Sequence, residues 1–306
     1  MQVELYNLLT KKRGINFALR VGNKLGNQQQ EDKMGLQQSF LKLIIRSKKK
    51  YGLAGPVLTL GNQDIYADEH DLMRWLRTED VAFTNPQTIR RYSGTSIVLR
   101  NPKARDFIHA STFFEFLGIS ESDYYDVDKY DFDKPKILHD LEEPFPESFR
   151  GRFNLIIDAG TLEHIFDIKS VLVNIVSAAK PGALVLHFTP ADNFLNHGFY
   201  QLSPTLFHDF YTLNGFEVLE SYIVEAHKRF FRFYLYDHAA DYTDMFFKSY
   251  SQLFNCVILK KLRDVEKISS PMQLKYKALK ENPEALMSNV DHTMTNRRAA
   301  MKSFDL

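Results

Sequence analysis

The 306-residue chain has one cysteine, Cys256, so no intrachain disulfide can form. That cysteine lies in the apolar run FNCVILKKL, where a buried, inert thiol is expected rather than a nucleophile, and a reducing compartment suits it. No apolar run approaches the roughly 18 residues of a membrane-spanning helix. The opening MQVELYNLLTKKRG has no signal-peptide core, so a cytoplasmic location away from membranes is the expectation. Charge of neither sign is in excess, with 39 Lys and Arg against 38 Asp and Glu, which removes any global argument for a nucleic-acid partner. Glycine is scarce where it would be most informative. In PVLTLGNQDIYAD the apolar run Val57–Leu60 drives into Gly61, and no further glycine follows. A dinucleotide oxidoreductase is therefore disfavoured, because no G-x-G-x-x-G cradles a pyrophosphate after this strand.

What is present suffices for a sizeable core: 44% of residues are hydrophobic and 25% charged. The first fifty residues hold 11 Lys and Arg against 3 Asp and Glu, ending in Lys48-Lys49-Lys50. Within them, SFLKLII sets Phe40, Leu41, Leu43, Ile44 and Ile45 so that one helical face can pack on a domain while the lysines stay solvated. Residues 1–55 read as a basic helical extension, with binding of an acidic partner as the alternative use of the charge. From 56 to 263, short apolar runs alternate with segments of helical period, the pattern of a parallel sheet covered on both faces. The expected strands are VLTL, YYDV, KILHDL, FNLIID and ALVLHF. RDFIHASTFFEFLG carries Phe107, Ala110, Phe114 and Leu117 on one stripe, with Gly118 as a stop. DIKSVLVNIVSAAKPG has Asp167 as N-cap and Pro181-Gly182 as terminator. Residues 66–102 exceed what one crossover needs and read as an insertion over the pocket, carrying Arg74, Trp75 and Arg77. Residues 264–306 read as a polar C-terminal tail.

In an open parallel sheet the ligand lies beyond the carboxyl ends of the strands. Those ends read Gly61-Asn62-Gln63, Asp126-Val127-Asp128, His139-Asp140-Leu141 and Asp158-Ala159-Gly160. Three of the four carry a carboxylate. Such a rim suits a ligand with a ribose diol, amino groups and positive charge, and suits a phosphate badly.

The ordered set YDVDKYD, HDLEEPFP, FNLIIDAGTLEHIFD, VLVNIVSAAKPGALVLHFTP and NGFEVLES resembles the class I S-adenosylmethionine-dependent methyltransferases, in particular their ubiquinone-methyltransferase-like subgroup. The resemblance covers about Pro56 to Leu262 and is most specific over Phe153 to Pro190. It implies a Rossmann-like, doubly wound, mostly parallel seven-stranded sheet with helices on both faces, and S-adenosylmethionine as cofactor. It further implies that Gly61 faces the methionine part, that Asp128 grips the ribose hydroxyls, and that Asp140 followed by Leu141 recognises the adenine amino group. Asp158 and Gly160 fall where the fourth strand opens onto the transferable methyl group. The chain departs from the family pattern at Thr59, Asn62 and Gln63, where relatives carry an acid and more glycines, and at Asn154; amides of Asn62 and Gln63 are expected to replace bare backbone as donors.

His164 and His197 are the candidates for removing an acceptor proton, since imidazole titrates near neutrality; the alternative for each is a hydrogen bond to backbone. His197 lies in DNFLNHGFYQLSPTLFHDFY, where Asn196 and Gly198 permit a tight turn. HKRFFRFYLYDH mixes bases with aromatics; strand residues packed on a core explain it more simply than base stacking. The expected activity is methyl transfer to an oxygen or nitrogen of a small-molecule acceptor such as a sugar or glycan precursor, with no metal assigned. A non-catalytic, methyltransferase-like binding or scaffold module is the alternative.

Overall fold

The computed structural model describes residues 35–91, 107–132, 134–228, 230–241, 247–281 and 297–306. Nine strands form one sheet: β1 (Val57–Leu60), β2 (Tyr124–Asp128), β3 (Ile137–Leu138), β4 (Phe153–Ala159), β5 (Ala179–Asp192), β6 (Phe216–Ala226), β7 (Phe231–Leu235), β8 (Leu253–Lys261) and β9 (Ser303–Asp305). Their order is β3-β2-β1-β4-β5-β8-β6-β7-β9. The first five in that order are parallel, with Leu58 beside Tyr125 on one side and Ile156 on the other. The remaining pairings are antiparallel.

The expected seven-stranded, mostly parallel sheet is thus corrected to a nine-stranded mixed one. Two additions make the difference. β7 pairs antiparallel with β6 as a hairpin, closed by His227 N–H donating to the Phe230 carbonyl at 3.0 Å. The last residues return as β9, in register with β7 through Phe233 and Phe304. A three-residue strand has too little hydrophobic pattern to stand out in a polar stretch.

Each central strand is apolar on both faces, as a doubly covered sheet requires. On one face Leu184, Leu186 and Phe188 of β5 and Cys256 and Ile258 of β8 join α1 (Gln38–Tyr51), α2 (Glu69–Thr78) and α3 (Ala110–Phe116). On the other, Val185, Val257 and Leu259 meet α4 (Ile168–Ala178) and α5 (Pro204–Leu213). Helix α1 buries the anticipated Phe40, Leu41, Leu43, Ile44 and Ile45. Its Phe40 ring stacks on Phe188 at 4.5 Å, so this helix is integral to the core rather than appended to it. The lysines of its last turn complement the helix dipole, and Lys50 pairs with Glu220 at 2.6 Å. Leu306 docks on the same element: it is buried, and its carbonyl accepts from Ser39 Oγ at 2.6 Å. Residues 303–306 of the polar stretch that begins at 264 are therefore part of the fold. Residues 1–34 and 282–296 lie outside the described residues.

Helix α4 has the anticipated Asp167 cap, whose carboxylate accepts from Ser170 N–H. It ends at Ala178, before Pro181-Gly182, because β5 begins at Ala179. Burial pushes the Cys256 thiol well above its usual range, consistent with an inert side chain in the middle of β8. Among the described residues no helix is long and apolar enough to cross a membrane.

His208, on α5, is buried beside α6 (His238–Asp241), its ring 4.6 Å from that of His238, which itself pairs with Asp209. Burial, with a contribution from His238 against the opposing pull of Asp237, lowers the His208 pKa to about 4. The unfolded chain takes up this proton near pH 6.5, roughly the ordinary imidazole value. Stability is therefore fully present above that pH and is lost as pH falls towards about 4, by on the order of 3 kcal/mol from this group. Urea unfolding between pH 7 and 4 checks this: His208→Phe should flatten the dependence by about that amount. An unchanged slope would remove His208 from the acid response.

Candidate active site

The chain leaves β1 towards β2 and β3 on one side and reaches β4 on the other, so the loops beyond β1 and β4 diverge and leave a crevice. A cavity of about 600 Å³ occupies it, lined among others by Gly61, Asn62, Asp128, Asp140, Gly160 and His164. Gly61 has φ +71°, and a Cβ there would come within 2.9 Å of Thr161 Oγ1. That hydroxyl donates to the Leu60 carbonyl at 2.6 Å, and Gly61 N–H donates to Val127 at 2.8 Å. The single glycine is thus where three strand ends meet.

The missing glycines have a structural counterpart. After Gly61 the chain does not wind at once into a helix but runs extended, bridging Ile65 to Leu36, and α2 begins only at Glu69 behind its Asp68 cap. No tight strand-to-helix turn has to approach a ligand. Asn62 lines the cavity, and its side-chain oxygen is buried without a hydrogen-bond partner. Gln63 turns inward instead, 2% exposed, donating to the Leu60 carbonyl at 2.6 Å. Helix α2 of the anticipated insertion buries Leu72, Trp75 and Leu76 in the core that α1 shares. None of residues 66–91 lines the cavity, and 92–102 lie outside the described residues.

Two of the three anticipated carboxylates line the cavity, with Leu141 beside the second. Asp128 accepts from Tyr130 N–H at 3.0 Å through one oxygen. Asp140 accepts from Glu142 N–H at 3.1 Å and pairs with Lys129 at 2.6 Å. The Lys129 contact, then that backbone donor, hold the Asp140 carboxyl below its usual range. Lys129 is exposed and Asp140 only partly buried, so exchanging Lys129 for a ligand group costs little. Tyr130, Phe166 and Phe199 give the same cavity an exposed aromatic rim.

The third carboxylate, Asp158, does not line the cavity; it is fully buried beneath it. One oxygen accepts from Thr161 and Leu162 N–H, both at 3.2 Å, and the other meets His187 Nδ1 at 2.9 Å. His187 Nε2 continues to the Tyr211 hydroxyl at 2.8 Å. Asp158 thereby shapes the turn that presents Gly160 and His164. The sequence carried a signal for this partner, since His187 is the only ionisable residue in the run ALVLHF.

The two histidines come together from separate segments. Asn196 (φ +63°) and Gly198 form the tight turn, and Phe199 N–H reaches the Glu163 carbonyl at 2.8 Å. A Cβ on Gly198 would lie 2.7 Å from that carbonyl, so the approach needs glycine. The result sets the His164 and His197 rings 4.9 Å apart around Glu163. Glu163 Oε1 is 3.9 Å from His164 Nε2 and 3.7 Å from His197 Nε2, and Glu163 is fully buried. Burial pushes its carboxyl up, against the opposing effect of His197, and burial with the nearby His197 lowers His164. His164 lines the cavity; His197 stands behind it. Glu163 was not singled out in the sequence, where its neighbours TLEH show only a loop.

No family model matches the chain, and no curated protein sequence matches it. Solved structures to which the chain is distantly similar include 1,6-didemethyltoxoflavin-N1-methyltransferase of Burkholderia thailandensis, bound to 1,6-didemethyltoxoflavin and S-adenosylhomocysteine. The likeness is 9% identical with a TM-score of 0.37, over 74% of this chain and 78% of that one. The branched-chain polyamine synthase of Thermus thermophilus, bound to N4-aminopropylspermidine and 5'-methylthioadenosine, is 13% identical at TM-score 0.35, over 84% of this chain and 67% of that one. The YcgJ protein of Bacillus subtilis is 11% identical at TM-score 0.34, over 73% and 98%. At these values the likenesses are distant and assign neither a substrate nor a residue role.

Proposed function

We propose that the chain binds S-adenosylmethionine in the crevice between β1 and β4 and transfers its methyl group to an oxygen or nitrogen of a small molecule. The observation that carries this reading is the cavity itself: about 600 Å³ at the switch point, with two carboxylates on adjacent strand ends and no glycine-rich phosphate cradle. That volume falls in the range of about 300–1,000 Å³ for small-molecule sites. In this reading Asp128 keeps one oxygen for the ribose hydroxyls, and Asp140 exchanges Lys129 for the adenine amino group. Asn62 offers its buried oxygen to the ammonium of the methionine part. The cofactor supplies an electrophilic methyl carbon on a sulfonium, which an acidic rim favours electrostatically. The aromatic rim formed by Tyr130, Phe166 and Phe199 supports an acceptor with an apolar or planar face, and a sugar or glycan precursor stacks on such a face through its C–H groups.

Calorimetry with S-adenosylmethionine and with NAD tests this reading. Asp128→Ala should weaken S-adenosylmethionine binding by about 1.5–3 kcal/mol, the loss of a hydrogen-bonded charged group, with the thermal transition unchanged. Equal affinity in the variant would remove Asp128 from the site, and binding of NAD instead would reject the cofactor. A methyl-labelled donor incubated with a small-molecule extract then reports transfer. Tight binding with no label transferred would favour the scaffold role.

A further inference from the structure

Glu163 presents an energetic anomaly. Both carboxylate oxygens are buried with no hydrogen-bond partner, and Nε2 of His197 is buried in the same condition. An unpaired polar group in the interior costs a few kcal/mol, and a charged one more. The nearest candidates to compensate are the two imidazoles, yet at 3.7 and 3.9 Å they are beyond hydrogen-bond length. One ligand atom from each of Glu163, His164 and His197 lies within 4.8 Å of the others.

We propose that Glu163, His164 and His197 bind a divalent transition-metal ion, with Zn²⁺, Co²⁺ and Mn²⁺ as the class. Two bonds of about 2.1 Å at a tetrahedral angle separate ligand atoms by about 3.4 Å. The two spacings to Glu163, 3.7 and 3.9 Å, need only a few tenths of an ångström of closure around an ion, and the two imidazole nitrogens, within 4.8 Å of each other, need at most about 1.4 Å. Two imidazoles and one carboxylate are the donor set of open catalytic sites, in which three protein ligands leave positions for water or substrate. The ion answers the anomaly directly, since its charge compensates the buried carboxylate. The loop geometry serves the same end: Gly198 lets residues 197–200 seat on the Glu163 backbone, which brings His197 over from a separate loop. His164 opens onto the cavity, so the free coordination positions face the space where an acceptor would sit. Resting on the methyl-transfer reading, this narrows the acceptor to one with an oxygen donor, a hydroxyl that the cation orients and makes more acidic.

The test uses the full chain stripped with EDTA and titrated with Co²⁺, followed by visible d–d absorption. A saturable spectrum of stoichiometric amplitude is expected. Glu163→Gln, His164→Ala and His197→Ala should each weaken Co²⁺ binding at least tenfold, since loss even of outer-shell partners costs roughly 10–100-fold. The His164 side chain is 44% exposed, so its truncation spares the fold and decides the matter if Glu163→Gln does not fold. No saturable spectrum, or equal affinity in His164→Ala, would overturn the site. S-adenosylmethionine binding is measured separately on the stripped protein: its failure would sink the methyl-transfer reading and leave the Co²⁺ result standing.

Discussion

Asp158→Ala is expected to destabilise the fold by about 3–5 kcal/mol, the range for deleting one member of a buried, hydrogen-bonded pair. The carboxylate is fully buried and satisfies two backbone N–H groups at the start of the 158–164 turn. Its other oxygen orients His187, which reaches the Tyr211 hydroxyl. Alanine would orphan all of these at once in the buried interior. Asp158→Asn keeps the oxygen that serves Thr161 and Leu162, and its amide can donate to His187 Nδ1 if the imidazole changes tautomer. Its cost should therefore be about 1–3 kcal/mol, one imperfectly satisfied hydroxyl at Tyr211. Urea unfolding monitored by circular dichroism compares the two. Equal effects of the two substitutions, or an alanine variant within about 1 kcal/mol of the parent, would show that the buried chain of contacts does not form.

Truncating His164 is expected to lower methyl transfer by roughly 10²–10⁴, the range for losing a positioned group that handles a proton. The imidazole opens onto the cavity beside Gly160 and Thr161, and its lone pair is available to a proton or to a cation. His197→Ala should fall in the same range although His197 does not line the cavity, because it shares Glu163 with His164. S-adenosylmethionine affinity should change by no more than about twofold in His197→Ala, since a group active only in the transfer step leaves ground-state binding intact. Initial rates with the methyl-labelled donor, alongside calorimetry, separate the two effects. Full turnover in both variants would reduce the histidines to loop-stabilising residues.

The strand ends explain how much of the site was legible. Val57–Leu60 and Phe153–Ala159 are continuous apolar runs because parallel strands are buried on both faces, and such runs announce where they stop. Reading the residue after each stop recovered Gly61, Asn62, Asp128, Asp140, Leu141 and Gly160, all of which line one cavity. Asp158 has the same local pattern yet faces inward. Strand alternation alone could not reveal that, because its orientation depends on His187, 29 residues away. Glu163 escaped for a similar reason: TLEH is an unremarkable loop until a turn closed by Asn196 and Gly198 brings His197 beside it.

By itself, the sequence determined the parallel half of the sheet, the helices α1, α3 and α4 that cover it, and the row of polar residues at the strand ends. These follow from local periodicity, caps and stops, which act over a few residues. Only the tertiary structure decided the antiparallel half. There β9 joins β7 from a segment with no pattern of its own, held by Arg232 on Asp305 at 2.7 Å and by Leu306 on Ser39. Tertiary contacts also made α1 part of the core and sorted the carboxylates into lining and buried. The physical reason is common to all three: each outcome rests on a pairing between residues distant in the chain, whose burial and partners exist only once the chain has closed on itself.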